Sequence, residues 1–371
     1  MITKKKKKLP FFDRVVLWVN CGMGGALLIS YLAPVINPAT CWPVAFFGLA
    51  YPLLLLTNLI LIVYWLLRKS KWALLSTVCI LIGWNMLNNN IGFRRPAKQI
   101  NETDSNTIRV MSYNVHDFKK YGSVNDISTK HEILELIEHE QPDIIGFEEF
   151  YTRNKGQYDL VDSLKRILNT DHFYFKPFMS NGADALGMAL FSKYPIINNG
   201  LIWLNEKNNL NQCIYIDVKK QSGIFRIYLI HLQSISFEPE DYKYLNGLSK
   251  QGKADMLSSR RIGSKLKRAF IKRSQQVALI IKHTATCPYP YIITGDFNDT
   301  PSSYAVNQIS KGLKNAFREK GSGLGRTYNG DFPNYQIDYI LATKQFDVLT
   351  YGVIRKKLSD HYPIYSDVRL K

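Results

Sequence analysis

The stretch PDIIGFEEF, Pro142 to Phe150, reads as a buried strand that ends in two adjacent carboxylates. After Asp143 come Ile144, Ile145, Gly146 and Phe147, none of them charged, and then Glu148 and Glu149 together. Neighbouring side chains of an extended chain point to opposite faces. Alternation therefore sends one glutamate toward one face of a sheet and its twin toward the other.

Similar runs surround it. TIRVMSYNV (107–115), GMALFSKYPI (187–196), CIYIDVKK (213–220), FRIYLIHLQ (225–233), YIITGDFN (291–298), QIDYILAT (336–343) and FDVLTYGVI (346–354) all read as strands. Helical spacing shows in KHEILELIEHE (130–140), YDLVDSLKRIL (158–168) and AFIKRSQQVALIIKH (269–283). A hairpin is expected to turn at Gln221 to Gly223. Many strands and few helices over 107–371 fit one α/β domain with two sheets and helices outside.

The formal net charge of +18 is concentrated near the N-terminus. Residues 1–98 hold twelve Lys/Arg against Asp13 alone, which leaves a net of only +7 for 99–371. The bulk charge is thus no sign of a nucleic-acid partner. Three charge-free apolar stretches, 15–36, 43–67 and 72–88, explain that N-terminus. Each is near the ~20 residues that cross a bilayer, the third being short enough to lie at the interface instead. A cleaved signal peptide fits less well, because the first run exceeds the ~7–15 residues of a signal core and two more follow. The expected layout is a membrane anchor of about three helices (1–90), a linker (91–106) and a catalytic domain (107–371). KKKKK (4–8) and RKSK (68–71) place the N-terminus and second loop in the cytoplasm by the positive-inside rule. Three crossings then make the catalytic domain extracytoplasmic. FRRPAK (93–98) argues mildly against this, and a two-span hairpin would return the domain to the cytoplasm. The five cysteines define no framework.

Several strands end in polar residues of one kind: Asn114, the glutamate pair, His231, Asp296 with Asn298, and Asp338. SDHYP (359–363) adds Asp360 and His361. If these share a rim, hard oxygen ligands with little imidazole select Mg²⁺ or Mn²⁺ rather than zinc. Such a site suits attack on a phosphoryl group.

Taken together, YNV, DIIGFEE, GMALFSKYPI, HLQ, GDFND, IDYIL and SDHYP, in that order, resemble the endonuclease/exonuclease/phosphatase superfamily. The resemblance spans about 107–371. It implies a four-layer α/β sandwich, two mixed sheets face to face with helices on both outer surfaces. It implies Glu149 as main metal ligand with Asn114 and Asp360 in the same shell. Asp296 would deprotonate or orient water, Asn298 and His231 would hold phosphate oxygens, and His361 would be oriented by Asp338. Arg273 and Gln276 would reach the site from their helix, Arg273 toward substrate. The implied activity is Mg²⁺-dependent hydrolysis of a phosphodiester or phosphomonoester, with Mn²⁺ as a substitute. A DNA or RNA nuclease and a non-catalytic phosphate-binding membrane protein are the alternatives. Two positions depart from the pattern: Glu148 stands where relatives carry Gln, and Gln336 where Arg often precedes the Ile. Glu148 is expected outside the metal shell, bridged to a Lys or Arg. His116 and Asp117 are expected in a solvated loop.

Between Lys250 and Arg273 nine Lys/Arg face Asp255 alone. This segment reads as a solvated loop leading into a helix, as a nucleic-acid patch, or as a surface for anionic headgroups. The scarcity of aromatics weakens the second reading, and tethering to a membrane favours the third.

Overall fold

The computed structural model describes residues 9–94, 106–119, 127–205, 211–252, 254–330 and 334–371, without the side chains of 249–251. The basic run 4–8 and most of the expected linker lie outside them.

Among the described residues five helices come first: α1 (Phe11–Ser30), α2 (Pro38–Leu49), α3 (Tyr51–Leu67), α4 (Ala73–Ile82) and α5 (Trp84–Asn90). Asp13, at the start of α1, accepts from Tyr64 (2.6 Å) and Arg68 (2.9 Å) at the end of α3, so those helices run antiparallel. Tyr31, just past α1, donates to the Cys79 carbonyl near the end of α4, which therefore runs with α1. This small bundle is apolar outside and carries a buried polar cluster beside an apolar core of Leu27, Tyr51, Leu54, Leu55 and Ile80. Asn20, Asn58 and Ser76 are fully buried and hydrogen-bonded to one another or to Trp65. Trp18, Leu56, Ile60, Val63 and Leu67 stand exposed.

The three expected spans are not three straight helices. Among the described residues only α1 is long and apolar enough to cross a membrane, or two spans if Pro43–Leu49 and Tyr51–Leu67, bent by 61°, are counted as one. α4 has ten residues, about 15 Å. Its continuation breaks at Gly83, where a Cβ would lie 2.0 Å from the Tyr31 ring.

Strands follow in chain order: β1 (Gly92–Phe93), β2 (Thr107–Asn114), β3 (Ile144–Arg153), β4 (Phe173–Ser180), β5 (Asp184–Ser192), β6 (Ile196–Trp203), β7 (Gln212–Lys220), β8 (Gly223–His231) and β9 (Tyr291–Asp296). The last six are β10 (Lys314–Asn315), β11 (Ser322–Gly323), β12 (Asp338–Ala342), β13 (Phe346–Val348), β14 (Gly352–Val353) and β15 (Ile364–Leu370). One sheet runs β13-β15-β2-β3-β5-β4, with β14 beside β15, and the other β10-β12-β9-β8-β7-β6. Both are mixed, since β2–β3 and β8–β9 pair parallel and the remaining pairs are antiparallel. The hairpin turns where expected, Lys220 pairing with Gly223.

Inward-facing side chains such as Val110, Ile144, Leu190, Ile216, Leu229 and Ile340 form the core between the sheets. Helices α6 (Ile127–Glu140) and α7 (Leu160–Leu168) cover the first sheet, burying Ile133, Ile137 and Leu164 against Phe147 and Phe191. Helices α8 (Pro239–Gln251), α9 (Met256–Thr284), α10 (Tyr304–Ile309) and α11 (Ala316–Lys320) complete the chain. α9 and α10 cover the second sheet through Val277, Ile280, Val306 and Ile309.

The basic segment corrects its first reading. α9 starts at Met256, capped by Asp255 accepting from the Ser258 amide (2.8 Å), so the expected loop is helix. Arg261 and Lys265 both bond the buried Asp241 of α8 at 2.7 Å. Lys267 lies 4.8 Å over the Trp42 ring and Arg273 is buried. Much of the patch is thus occupied within the fold.

The N-terminal helices dock on this domain. Phe46 packs edge-on against Phe270 (5.4 Å), Gln308 donates to the Pro34 carbonyl (2.8 Å), and Asn90 donates to Ser302 (3.1 Å). A Cβ on Gly48 would meet Ala33 at 2.5 Å and the Ser302 carbonyl at 3.1 Å, so this approach needs glycine. Within the expected linker, Gly92–Phe93 pairs with Ser322–Gly323.

Candidate active site

Strand register gathers the predicted residues. His231, Asp296 and Asp338 stand side by side on β8, β9 and β12, and Asn114 is opposite Glu148 on β2 and β3. The loop before β15 brings in Asp360 and His361, pinned by Ser359 donating to the Asn114 carbonyl (2.8 Å). A cavity of about 470 Å³ opens here, lined at this end by Glu149, His231, Asp296, Asn298, Asp360 and His361.

The two glutamates do not obey simple alternation. In the β3–β5 pairing Phe147 faces Ala189 and Phe150 faces Gly187, so Glu148 and Glu149 together oppose Met188. This β-bulge, with Glu149 at φ +51°, turns both carboxylates toward the site while Phe147 and Phe150 share the outer aromatic cluster. Glu149 reaches the cavity. Glu148 lies behind it, fully buried, accepting from Ser112 Oγ (2.9 Å), with no Lys or Arg partner among the described residues. Burial, with Asp338 and Asp296 nearby, holds its carboxyl well above the usual range and so favours the neutral form. The expected ion pair is thus replaced by a buried hydrogen bond. Gly295, at φ +134°, leaves the room: a Cβ there would meet the Ile230 carbonyl at 2.1 Å and Glu148 Oε1 at 3.0 Å.

Burial opposes charge on Glu149, yet His116, His231 and His361 outweigh it and hold the carboxyl at about 2. Asn114 Nδ2 donates to both Glu149 and Asp296 (3.3 Å each). Asp296 is raised to about 6, chiefly by burial. It accepts from the Asn298 amide (2.8 Å) and side chain (3.0 Å), Asn298 sitting at φ +52°. His361 Nδ1 faces both Asp338 oxygens at 3.1 Å and its Nε2 lies 3.7 Å from Asp296. Burial works against charge on His361, but Asp338 and Asp296 overcome it and keep the ring protonated well above its ordinary range. His231 Nε2 is 3.6 Å from Asp296 and 3.9 Å from Glu149.

One residue read as solvated belongs here. His116 Nδ1 lies 3.4 Å from Glu149 and 3.9 Å from Asp360. Its pKa is raised by the bond to Glu149. His116, Asp117 and Phe118 all have positive φ (44°, 57° and 58°), a left-handed turn for which no sequence signal stood out.

Arg273 reaches the cavity wall but is almost wholly buried, with Nε 3.1 Å from Asp299 and a guanidinium nitrogen on the Asn298 carbonyl. It braces the loop that carries Asn298. Gln276 is buried too, accepting from the Gln233 amide (2.9 Å). Breaking a buried pair strands a charge, so Asp299→Asn is expected to lower stability by about 3–5 kcal/mol. Chemical denaturation checks this, and a double change of Asp299 and Arg273 to apolar residues should cost less than the two single changes summed.

Divalent-cation chemistry fits the donors. Asp296, Asp338 and His361 offer atoms within 4.8 Å of one another. Asp338 is already engaged by His361, however, so the oxygens left to a cation are those of Glu149, Asp360 and Asp296. All are hard carboxylates, and no cysteine is among the described lining residues.

Comparison with known proteins agrees. A domain of unknown function matches residues 13–90. No curated protein matches. Among solved structures, an endonuclease/exonuclease/phosphatase from Beutenbergia cavernae aligns with TM-score 0.51 and 19% identity, covering 71% of this chain and 72% of its own. A family protein from Bacteroides thetaiotaomicron gives 0.50 and 18%, covering 71% and 95%. The catalytic domain of human nocturnin gives 0.50 and 20%, covering 73% and 96%. At these identities the likeness concerns the fold. The sequence pattern of the endonuclease/exonuclease/phosphatase family runs over residues 111–361, from the strand that carries Asn114 to His361 itself, and the chain therefore belongs to that family, hydrolases of phosphoester bonds.

Proposed function

We propose that this chain is a membrane-anchored, Mg²⁺-dependent phosphoesterase that cleaves its ester by in-line attack of water. The observation that carries the reading is the convergence of Glu149, His231, Asp296, Asn298, Asp360 and His361 on one end of one cavity, with Asn114 and Asp338 hydrogen-bonded to them. Glu149 and Asp360 would hold the cation, with Asn114 beside them once its amide oxygen turns inward. The cation, when bound, neutralises charge developing on the phosphoryl oxygens.

The chain's own residues do the rest. Asp296, poised near neutrality, takes one proton from water as the water oxygen bonds phosphorus. The ester P–O bond breaks, and the departing oxygen takes a proton from solvent. His231, Asn298 and protonated His361 face the non-bridging oxygens, and Asp338 fixes the His361 ring. Arg273 acts through the Asn298 loop, toward the same substrate oxygens. Chelation with EDTA is expected to stop turnover of a chromogenic phosphodiester by the full chain. Mg²⁺ should restore it, and Mn²⁺ should substitute. Undiminished turnover in EDTA would contradict the reading.

The apolar exterior of the bundle supports the membrane anchor, since exposed Trp18, Leu56, Ile60 and Val63 over buried Asn20, Asn58 and Ser76 suit a lipid solvent. α1 runs toward the catalytic domain, α3 away from it, and α4 with α5 back again. Arg68 and Lys69 thus lie at the far end. By the positive-inside rule the catalytic domain faces away from the cytoplasm.

A further inference from the structure

The cavity that holds the catalytic cluster has a second end, and the N-terminal helices build part of it. Phe46 and Leu49 of α2 and Leu53 of α3 line it, facing Phe237, Leu266 and Phe270 of the catalytic domain. Residues some two hundred positions apart thus make one wall, held by the Phe46–Phe270 contact and by Tyr335 donating to the Leu49 carbonyl (3.3 Å). This end carries no side chain suited to a polyanion. Among the described lining residues Arg273 is the sole Lys or Arg, and it is committed to Asp299. The wall also continues outward. Leu53 is 58% exposed although it lines the cavity, and the exposed Leu56 and Ile60 follow it along α3. On the opposite side Leu248, Met256 and Leu257 stand exposed at the α8–α9 joint, next to the lining residues Leu245 and Ile262. Trp42, beside this opening, carries Lys267 over its ring, a pairing suited to a bilayer's polar boundary.

An apolar chamber continuous with a phosphoryl-transfer site, half of it built from the anchor, has one fitting occupant. We infer that the substrate is a phosphoester bearing a long hydrocarbon chain. Its phosphate sits among His231, Asp296 and Asn298, and its chain lies against Leu49, Leu53 and Phe270. The inference rests on the phosphoesterase reading above and names its substrate class. The volume of about 470 Å³ is that of a small-molecule pocket. It admits part of a chain, and the remainder runs out along the apolar face of α3.

The test is a series of methyl, butyl and octyl p-nitrophenyl phosphodiesters, with the full chain in lipid nanodiscs and each ester below its aggregation threshold. Each methylene taken from water is worth about 0.8 kcal/mol, several-fold in kcat/KM. The octyl ester should exceed the methyl ester by at least tenfold. Partition into the bilayer could raise this ratio as well, so Leu49→Asp and Leu53→Asp are measured in parallel, and each should cut the ratio at least tenfold. A ratio near one in the wild-type chain, with the methyl ester turned over, overturns the chain inference and leaves the phosphoesterase standing. So does an unchanged ratio in both variants, or a thymidine p-nitrophenyl phosphodiester hydrolysed faster than the octyl ester. If neither an ester in the series nor p-nitrophenyl phosphate is hydrolysed, the phosphoesterase reading itself fails, whereas hydrolysis of p-nitrophenyl phosphate alone overturns only the chain inference.

Discussion

Asp296→Asn is expected to lower kcat by about 10²- to 10⁴-fold, the range for removing a positioned general base. The substitution keeps the shape of the side chain and its contact with the Asn298 amide, but it removes the carboxylate that lies 3.6 Å from His231 and 3.7 Å from His361. Burial raises Asp296 into the range where a carboxylate can accept a proton from water at neutral pH. Because the defect lies in proton transfer, KM should change far less than kcat, and the melting temperature should not fall. Steady-state kinetics on full-length protein, with circular dichroism as the check on folding, make the comparison. A variant retaining more than a tenth of wild-type kcat would remove Asp296 from the role of base.

The paired glutamates give the second large effect. Glu149→Gln is expected to lower kcat/KM by about 10²- to 10⁴-fold, because a cation held mainly by Glu149 is worth several kcal/mol to the transition state. Glu148→Gln should leave activity within a fewfold and the melting temperature unchanged or higher. Burial favours the uncharged form of Glu148, which accepts a hydrogen bond from Ser112, and Gln reproduces its shape without the burden of a buried ionisable acid. The kinetics of both variants over a range of Mg²⁺ concentrations decide it. Glu149→Gln should need far more metal and Glu148→Gln no more than wild type. Equal losses in the two would mean that the bulge does not divide their roles.

Much of this site could be read from strand ends. TIRVMSYN, FRIYLIH and YIITGD each run apolar and then stop on a polar residue, and those residues do meet on one rim. Order along the chain sufficed because the register of β8, β9 and β12 aligns their ends. The bulge at Glu148–Glu149 was not legible. A bulge is one extra residue in a ladder, and the strand pattern before it, Ile144 to Phe147, is the same with or without it. His116 escaped for a related reason: its side chain reaches Glu149 only because three residues turn left-handed, which neither hydropathy nor spacing encodes. The start of α9 was missed because its first turns are charged and serve α8 through Asp241 rather than a hydrophobic core. The N-terminal segment could be read as apolar helices but not as part of the cavity that holds the candidate site. The contacts of Phe46 with Phe270 and of Gly48 with Ser302 join residues hundreds of positions apart.

The most direct test of the central claim, attack of water on phosphorus, is hydrolysis of a phosphomonoester in ¹⁸O-enriched water followed by mass spectrometry of both products. The account predicts one labelled oxygen in the inorganic phosphate, none in the alcohol, and labelled phosphate from Asp296→Asn formed about 10²- to 10⁴-fold more slowly. Label in the alcohol, or labelled phosphate at wild-type rate from Asp296→Asn, would contradict it.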